Sequence, residues 1–301
     1  MSKPRPLPPA LRDAFTYAEG LARGATPRRL RNPDIASPFR GSRADFVTND
    51  VQSLARAYSP LLGPNRYFSH LTAAQLLGLR MPEHFILESI HVTSLFPTRA
   101  VRRRRVTGHQ TQRSECVTVN GLRVSTPLGA WLECAEYLGV DDVVIMGDSL
   151  VRRRSPLVTI DELRAAAASF RGRRGAATIA GAVTLVRENT DSARETILRL
   201  VLGRAGFPEP EVNGVIVNSF GQAIAHGDLV YRAYRTVLEY EGDHHRTDER
   251  QFDIDIERLD GLAEEQWRVI RVSKGLLRRR ATLLGKVDTA LRTGGWRPKL
   301  V

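Results

Sequence analysis

The tightest constraint on the fold lies in the last third of the chain. Asp191 or Ser192 can cap a helix running to about Ala205, with Ile197, Leu198, Val201 and Leu202 as its apolar stripe. Gly206 ends that helix, and Pro208 and Pro210 keep it from resuming. Three β-prone runs follow: Val212 to Val217, Gln222 to Val230 and Thr236 to Glu241. A long charged helix from Arg246 to Glu265 then carries Phe252, Ile256, Leu259 and Leu262 on one side. Trp267 to Val272 forms a last strand, and Gly275 to Arg292 reads as one basic closing helix. The order helix, three strands, helix, strand predicts an α/β sandwich around a mixed sheet.

That sheet carries an unusual set of acids. Glu239 and Glu241 sit two apart in the third run, and Asp228 lies near the end of the second. Alternate strand residues share a face, so Glu239 and Glu241 point the same way. Carboxylates crowded on a buried strand repel one another and resist desolvation unless a cation neutralises them. A hard divalent ion with oxygen ligands does this, and Mg²⁺ is the common choice, with Mn²⁺ as its substitute. The plainer reading of the pair is an edge strand whose acids face solvent. Val237, Leu238 and Tyr240 argue against it, since they look like core.

The surroundings are strongly basic. The 301 residues carry a formal net charge of +12, with a pI near 10.4. Such a balance favours a polyanionic partner, because Lys and Arg release condensed counterions from phosphates. Nucleic acid is therefore the expected partner, DNA in the first instance. No apolar run is long enough to span a membrane. The two cysteines, Cys116 and Cys134, are far apart and outside any CxxC pair, which speaks against a disulfide framework and fits a cytoplasmic protein. Met1 to Pro9 lacks the apolar core of a signal peptide.

Upstream, residues 1–47 read as a Pro-rich leader and two short helical pieces divided at Gly24 and Pro27. Residues 48–158 read as an α+β binding domain. In it, Asp50 to Tyr58, Thr72 to Leu77, Pro127 to Leu138 and Asp141 to Arg154 are helical. Ser89 to Leu95, Ser114 to Val119 and Leu122 to Ser125 are β-prone, the last two hinged at Asn120-Gly121. Residues 159–188 form a helical linker, and residues 189–301 the acid-bearing domain. The chain is thus α/β, α+β overall, with the N-terminal region offering a surface for nucleic acid, a protein partner or dimerisation.

Several pieces together carry a resemblance. They are Ser192-Ala193-Arg194-Glu195, Gly206-Phe207-Pro208-Glu209-Pro210, Gly227-Asp228-Leu229, Glu239-Tyr240-Glu241-Gly242-Asp243-His244-His245 and Trp267-Arg268-Val269-Ile270-Arg271-Val272. In this order they resemble the DUF559-type proteins, relatives of the very-short-patch repair endonucleases in the restriction-endonuclease-like PD-(D/E)xK superfamily. The resemblance implies an αβββαβ core and a metal-dependent endonuclease. Asp228 and Glu239 would be metal ligands, and Glu195 the helix-borne acid completing the shell. The position usually held by a lysine is Glu241, so the general base stays open, with His245 or His244 as the natural substitute. In the mechanism so implied, a metal-activated water attacks a phosphodiester in line. Arg246 or Arg250 could hold the phosphate. Ser69-His70-Leu71-Thr72-Ala73-Ala74 and Ser125-Thr126-Pro127-Leu128-Gly129-Ala130 more loosely resemble the AbiEi-type antitoxin-like proteins, which implies a contacting module rather than chemistry.

The chief rival is a non-enzymatic antitoxin-like or transcriptional DNA binder that keeps the nuclease fold and not its activity. Three Arg runs, 102–105, 152–154 and 278–280, can meet phosphates but are as easily solvated surface. Gly147-Asp148-Ser149-Leu150 spells an esterase signature, yet it falls inside an expected helix, where a nucleophile is not presented. His70, His84, His91 and His109 are scattered without ligand spacing, which makes zinc improbable. No P-loop or dinucleotide fingerprint occurs.

Overall fold

A computed structural model describes residues 6–11, 13–82, 89–113, 115–241 and 249–298, with the side chains of 249–256 excepted. The described residues form a mixed α/β structure with helices, three sheets and no barrel. The chain divides into two compact units. One comprises residues 1–146 and 165–180, the other residues 147–164 and 181–301. No described helix is long and apolar enough to cross a membrane.

The first unit begins with β1 (Ala14–Thr16), α1 (Tyr17–Ala22), α2 (Pro27–Leu30) and β2 (Ser42–Ala44). The two helical pieces expected across residues 11–30 are both present, with Gly24 in left-handed backbone between them and Thr26 capping α2. The first starts only at Tyr17, because Ala14–Thr16 is strand. The antiparallel β1–β2 ribbon has no such sequence signal, being only three residues a side. Next come α3 (Val51–Tyr58), β3 (Arg66–Phe68), α4 (His70–Leu76), β4 (Ile90–Leu95), β5 (Arg102–Arg103), β6 (Val106–Thr111), β7 (Cys116–Val119), β8 (Leu122–Ser125) and α5 (Pro127–Cys134). Asp50 starts α3 with a capping box.

Strands β3 to β8 form a six-stranded mixed sheet in the order β5-β6-β4-β3-β8-β7. Asn120 and Gly121 join β7 to β8 as a two-residue turn, with φ of 48° and 77°. Asn-Gly tolerates two successive positive φ angles, which is why it marks this turn in the sequence. Phe68, Ile90, Val92, Val124, Trp131 and Tyr58 are buried in this unit's core. Trp131 meets its one polar need by donating Nε1–H to the Val143 carbonyl at 2.9 Å.

Three helices, α6 (Val140–Leu150), α7 (Ile160–Ser169) and α8 (Ala176–Val183), each have residues in both units. The second unit then runs α9 (Ala193–Arg204), β9 (Glu211–Val217), β10 (Ala223–Tyr231), β11 (Thr236–Glu241), α10 (Glu249–Glu264), β12 (Arg268–Ser273), α11 (Lys274–Arg278) and α12 (Arg280–Thr293). Its four-stranded sheet has the order β12-β11-β10-β9, with β11–β12 parallel and the other pairs antiparallel. Leu198 and Leu202 of α9 join Leu229, Tyr231, Leu238, Val272 and residues of α11 and α12 in one apolar cluster. Leu262 of α10 packs with Val230, Val237 and Ile216 in another. Helices thus bury the sheet on both sides. The closing helix expected as one piece is two: Arg279, at φ −86° and ψ 64°, breaks it between α11 and α12.

Candidate functional site

The sheet of the second unit is interrupted at Asp228. Pairing of β10 with β9 passes from Gly227↔Gly214 to Leu229↔Val212, and pairing with β11 reaches only Leu229↔Leu238. Opposite the gap, Asn213 takes a left-handed φ of 48°. A side chain fills part of the missing ladder, since Asp228 Oδ2 accepts the Tyr240 backbone N–H at 2.6 Å. Gly227, just before it, lies so close to β11 that a Cβ there would meet Val237 Cγ2 at 2.1 Å. The strands close up beside the gap and part at it.

Burial pushes the Asp228 carboxyl up to about 6, and the charges of Glu195, Glu239 and Asp191 push the same way against the Tyr240 N–H. Those neighbours are each engaged elsewhere. Glu195, 4% exposed, accepts the Asp191 N–H at 2.8 Å and the Asn213 Nδ2–H at 2.7 Å through Oε2. Ser192 Oγ caps α9 by accepting the Glu195 N–H at 3.2 Å. Glu239 takes both Nη groups of Arg258, from α10, and Asp191 pairs with Arg153. Glu241, at the end of β11, lies 3.5 Å from Arg271 Nε.

The structure therefore brings Asp228, Glu195 and Glu239 into one neighbourhood, with Asp191 as a member the sequence reading missed. It does not bring them onto one point. Among the described residues, the one group of three ligand-type side chains whose donor atoms all lie within 4.8 Å of one another is His70, His91 and His109. His244, His245 and Arg246 lie outside the described residues, and Arg250 is described by its backbone alone, in α10. An all-oxygen donor set suits a hard divalent ion. Asp228 and Glu195 fit one, whereas Arg258 already supplies the positive charge at Glu239.

The first unit presents a different surface. A cleft of about 660 Å³ is lined by Ser37, Pro38, Phe39, Arg40 and the run Arg102 to Arg105. The four arginines of the run are exposed, on and beside the β5–β6 hairpin. Arg103 is steadied by donating Nη1–H to the Arg40 carbonyl at 2.8 Å, with its guanidinium over the Tyr58 ring. A guanidinium cluster in a concave surface is a fitting phosphate contact.

The esterase-like string lies in α6, where Asp148 and Ser149 are fully buried. Asp148 has a structural partner in Arg199, 3% exposed, whose Nη2 lies 2.9 Å from Oδ2. Asp148 also accepts the Arg187 N–H and the Thr196 hydroxyl, each at 2.8 Å. The histidines need correction. His84 lies outside the described residues, but His70, His91 and His109 are gathered, not scattered. No local spacing could signal this, because β4 and β6, neighbours in the sheet, are separated in sequence by β5, and His70 enters from α4. No family model, no curated protein and no solved structure matches this chain.

Proposed function

We propose that this protein binds nucleic acid and hydrolyses its phosphodiester bonds with a divalent cation held at Asp228. The observation that carries this reading is the state of that carboxyl. It is half-buried, pushed upward by desolvation and by three acids, and set where the β10–β11 pairing ends. An ordinary structural aspartate is not kept in such surroundings without something to gain, and a cation relieves all the repulsions at once. The order α9-β9-β10-β11-α10-β12, with Asp228 on the second strand and Glu239 on the third, supports reading this unit as a restriction-endonuclease-like core.

A bound Mg²⁺ supplies an activated water and stabilises charge on the phosphate. In this chain Asp228 and Glu195 would hold it, with Glu239 beside them already paired with Arg258. The arginine-lined cleft of the first unit, with the net charge of +12, supports nucleic acid as the substrate class. Supercoiled plasmid incubated with Mg²⁺, Mn²⁺ or EDTA tests the proposal. Metal-dependent nicking by the wild type, lost in Asp228→Asn while gel retardation persists, is the expected result. Equal nicking by the variant would refute the assignment.

One observation favours a second reading, in which the unit is an inactive nuclease fold in an antitoxin-like or transcriptional DNA binder. Arg258 occupies both oxygens of Glu239, as a cation would, and Glu241 stands in the place of the usual lysine. That reading expects retardation of DNA with no nicking in any metal.

A further inference from the structure

We infer that His70, His91 and His109 form a binding site for a transition-metal ion of the zinc class in the first unit, independent of the acids around Asp228. The three imidazoles come from α4, β4 and β6, and their ligand nitrogens all lie within 4.8 Å of one another. His91 Nδ1 faces His109 Nε2 at 3.0 Å. Two nitrogens so placed need either one shared proton or a cation between them. On a tetrahedral ion with bonds of roughly 2.0–2.1 Å, two ligand nitrogens sit about 3.3 Å apart, close to this spacing.

The residues around the cluster are arranged as a support for ligands. His70 Nδ1 lies 2.9 Å from Ser69 Oγ, which also accepts the Thr93 hydroxyl at 2.7 Å. With Nδ1–H given to Ser69, the other ring nitrogen keeps its lone pair for an ion. Glu133 Oε2 stands behind the ring, 3.7 Å from Nδ1, while accepting the His70 N–H at 2.9 Å and the Ser125 hydroxyl at 2.7 Å. That N–H bond is made with His70 at a φ of +49°, a conformation uncommon for a residue with a β-carbon. A carboxylate behind a histidine is the usual second layer of a metal site.

Chemistry and access agree with this geometry. His70 and His91 are buried, where a neutral imidazole with a lone pair to give is the favoured form. His109 is only partly covered, and the edge of Tyr137 meets all three rings with centroids 5.0–6.3 Å away. The exposed side of Tyr137, at 39%, and the rim at His109 give an ion its way in. The rings are now stacked nearly parallel, His70 on His109 with centroids 3.7 Å apart. Binding turns them about their Cβ–Cγ bonds until the lone pairs converge.

The test uses untagged, full-length, chelator-treated protein titrated with Co²⁺ and with Zn²⁺. The expected result is one tetrahedral Co²⁺ per chain, read from its intense visible absorption and displaced by Zn²⁺, distinct from any weakly absorbing octahedral Co²⁺ at the acids. His91→Gln and His109→Phe should each weaken binding by at least about a hundredfold, since losing even an outer partner of a ligand costs up to that much. Asp228→Asn should keep the wild-type tetrahedral spectrum and its affinity. His109→Phe, at the partly exposed rim and keeping a flat ring, is the decisive variant if His91→Gln fails to fold. The inference is overturned by absence of one tightly bound tetrahedral Co²⁺ per chain, by an unchanged tetrahedral affinity in folded His109→Phe, or by loss of the tetrahedral spectrum in Asp228→Asn.

Discussion

Asp228 can be followed from sequence to energetics. Its ordinary value is 3.8, and the fold pushes it up to about 6. Below the first value it is protonated in both folded and unfolded chains, and above the second it is charged in both. Between them the folded chain binds the proton more tightly, so metal-free stability falls as pH rises through this window and stays reduced above it. Asn keeps an oxygen for the Tyr240 N–H but carries no charge. Asp228→Asn should therefore be more stable than the wild type at pH 7.5 without metal, by up to about 2 kcal/mol, and the gain should vanish near pH 4. Mg²⁺ should raise the melting temperature of the wild type and leave the variant unmoved. A variant less stable at pH 7.5 would contradict this account of the buried charge. The acids themselves were legible, because carboxylates inside β-prone runs are unusual. Their partners were not. Arg258 reaches Glu239 only once α10 packs on the sheet, and Asp191 comes near Asp228 only once the start of α9 is set against β10, neighbourhoods no local pattern encodes.

At the scale of elements, strong local chemistry was readable and pairing was not. Ser192 starts α9, Asp50 starts α3 and Asn120-Gly121 turns β7 into β8, each through contacts within a few residues. By contrast, β6 mixes Thr, Gly, His and Gln, so only its pairing with β4 identifies it as a strand. The break at Arg279 likewise has neither Gly nor Pro at that residue to announce it. Gly227 shows how an element positions the site. Val237 and Val230 occupy the space a Cβ would need, at 2.1 and 3.0 Å, so any side chain forces β10 away from β11 just before Asp228. Gly227→Ala should destabilise the protein by about 1–3 kcal/mol. It should also lower nicking at least tenfold in protein that remains folded, although no charge is touched. Circular dichroism melting beside the plasmid assay measures both. Wild-type nicking by a folded variant would mean that the gap between the strands has no part in the chemistry.

The molecule as a whole is cationic, but +12 is a sum, and binding depends on where the charge is held. Arg102 to Arg105 line a cleft, and Arg103 is fixed there by the Arg40 carbonyl and Tyr58. Arg153, from another Arg run, is instead paired with Asp191. Equal-looking runs in the sequence thus have unequal capacity for phosphate, a distinction composition cannot make. If the cleft is the contact, each arginine on a phosphate contributes about 0.9 to the slope of log affinity against log salt. Arg102→Ala with Arg104→Ala should then reduce that slope by close to two and weaken binding to any duplex alike, since phosphate contacts do not read sequence. Neither arginine lies in the acidic unit, so nicking at saturating protein and low salt should persist. Titrations of a labelled duplex at several salt concentrations give the slope directly. An unchanged slope would move the nucleic-acid surface away from the cleft and leave its arginines as solvated charge.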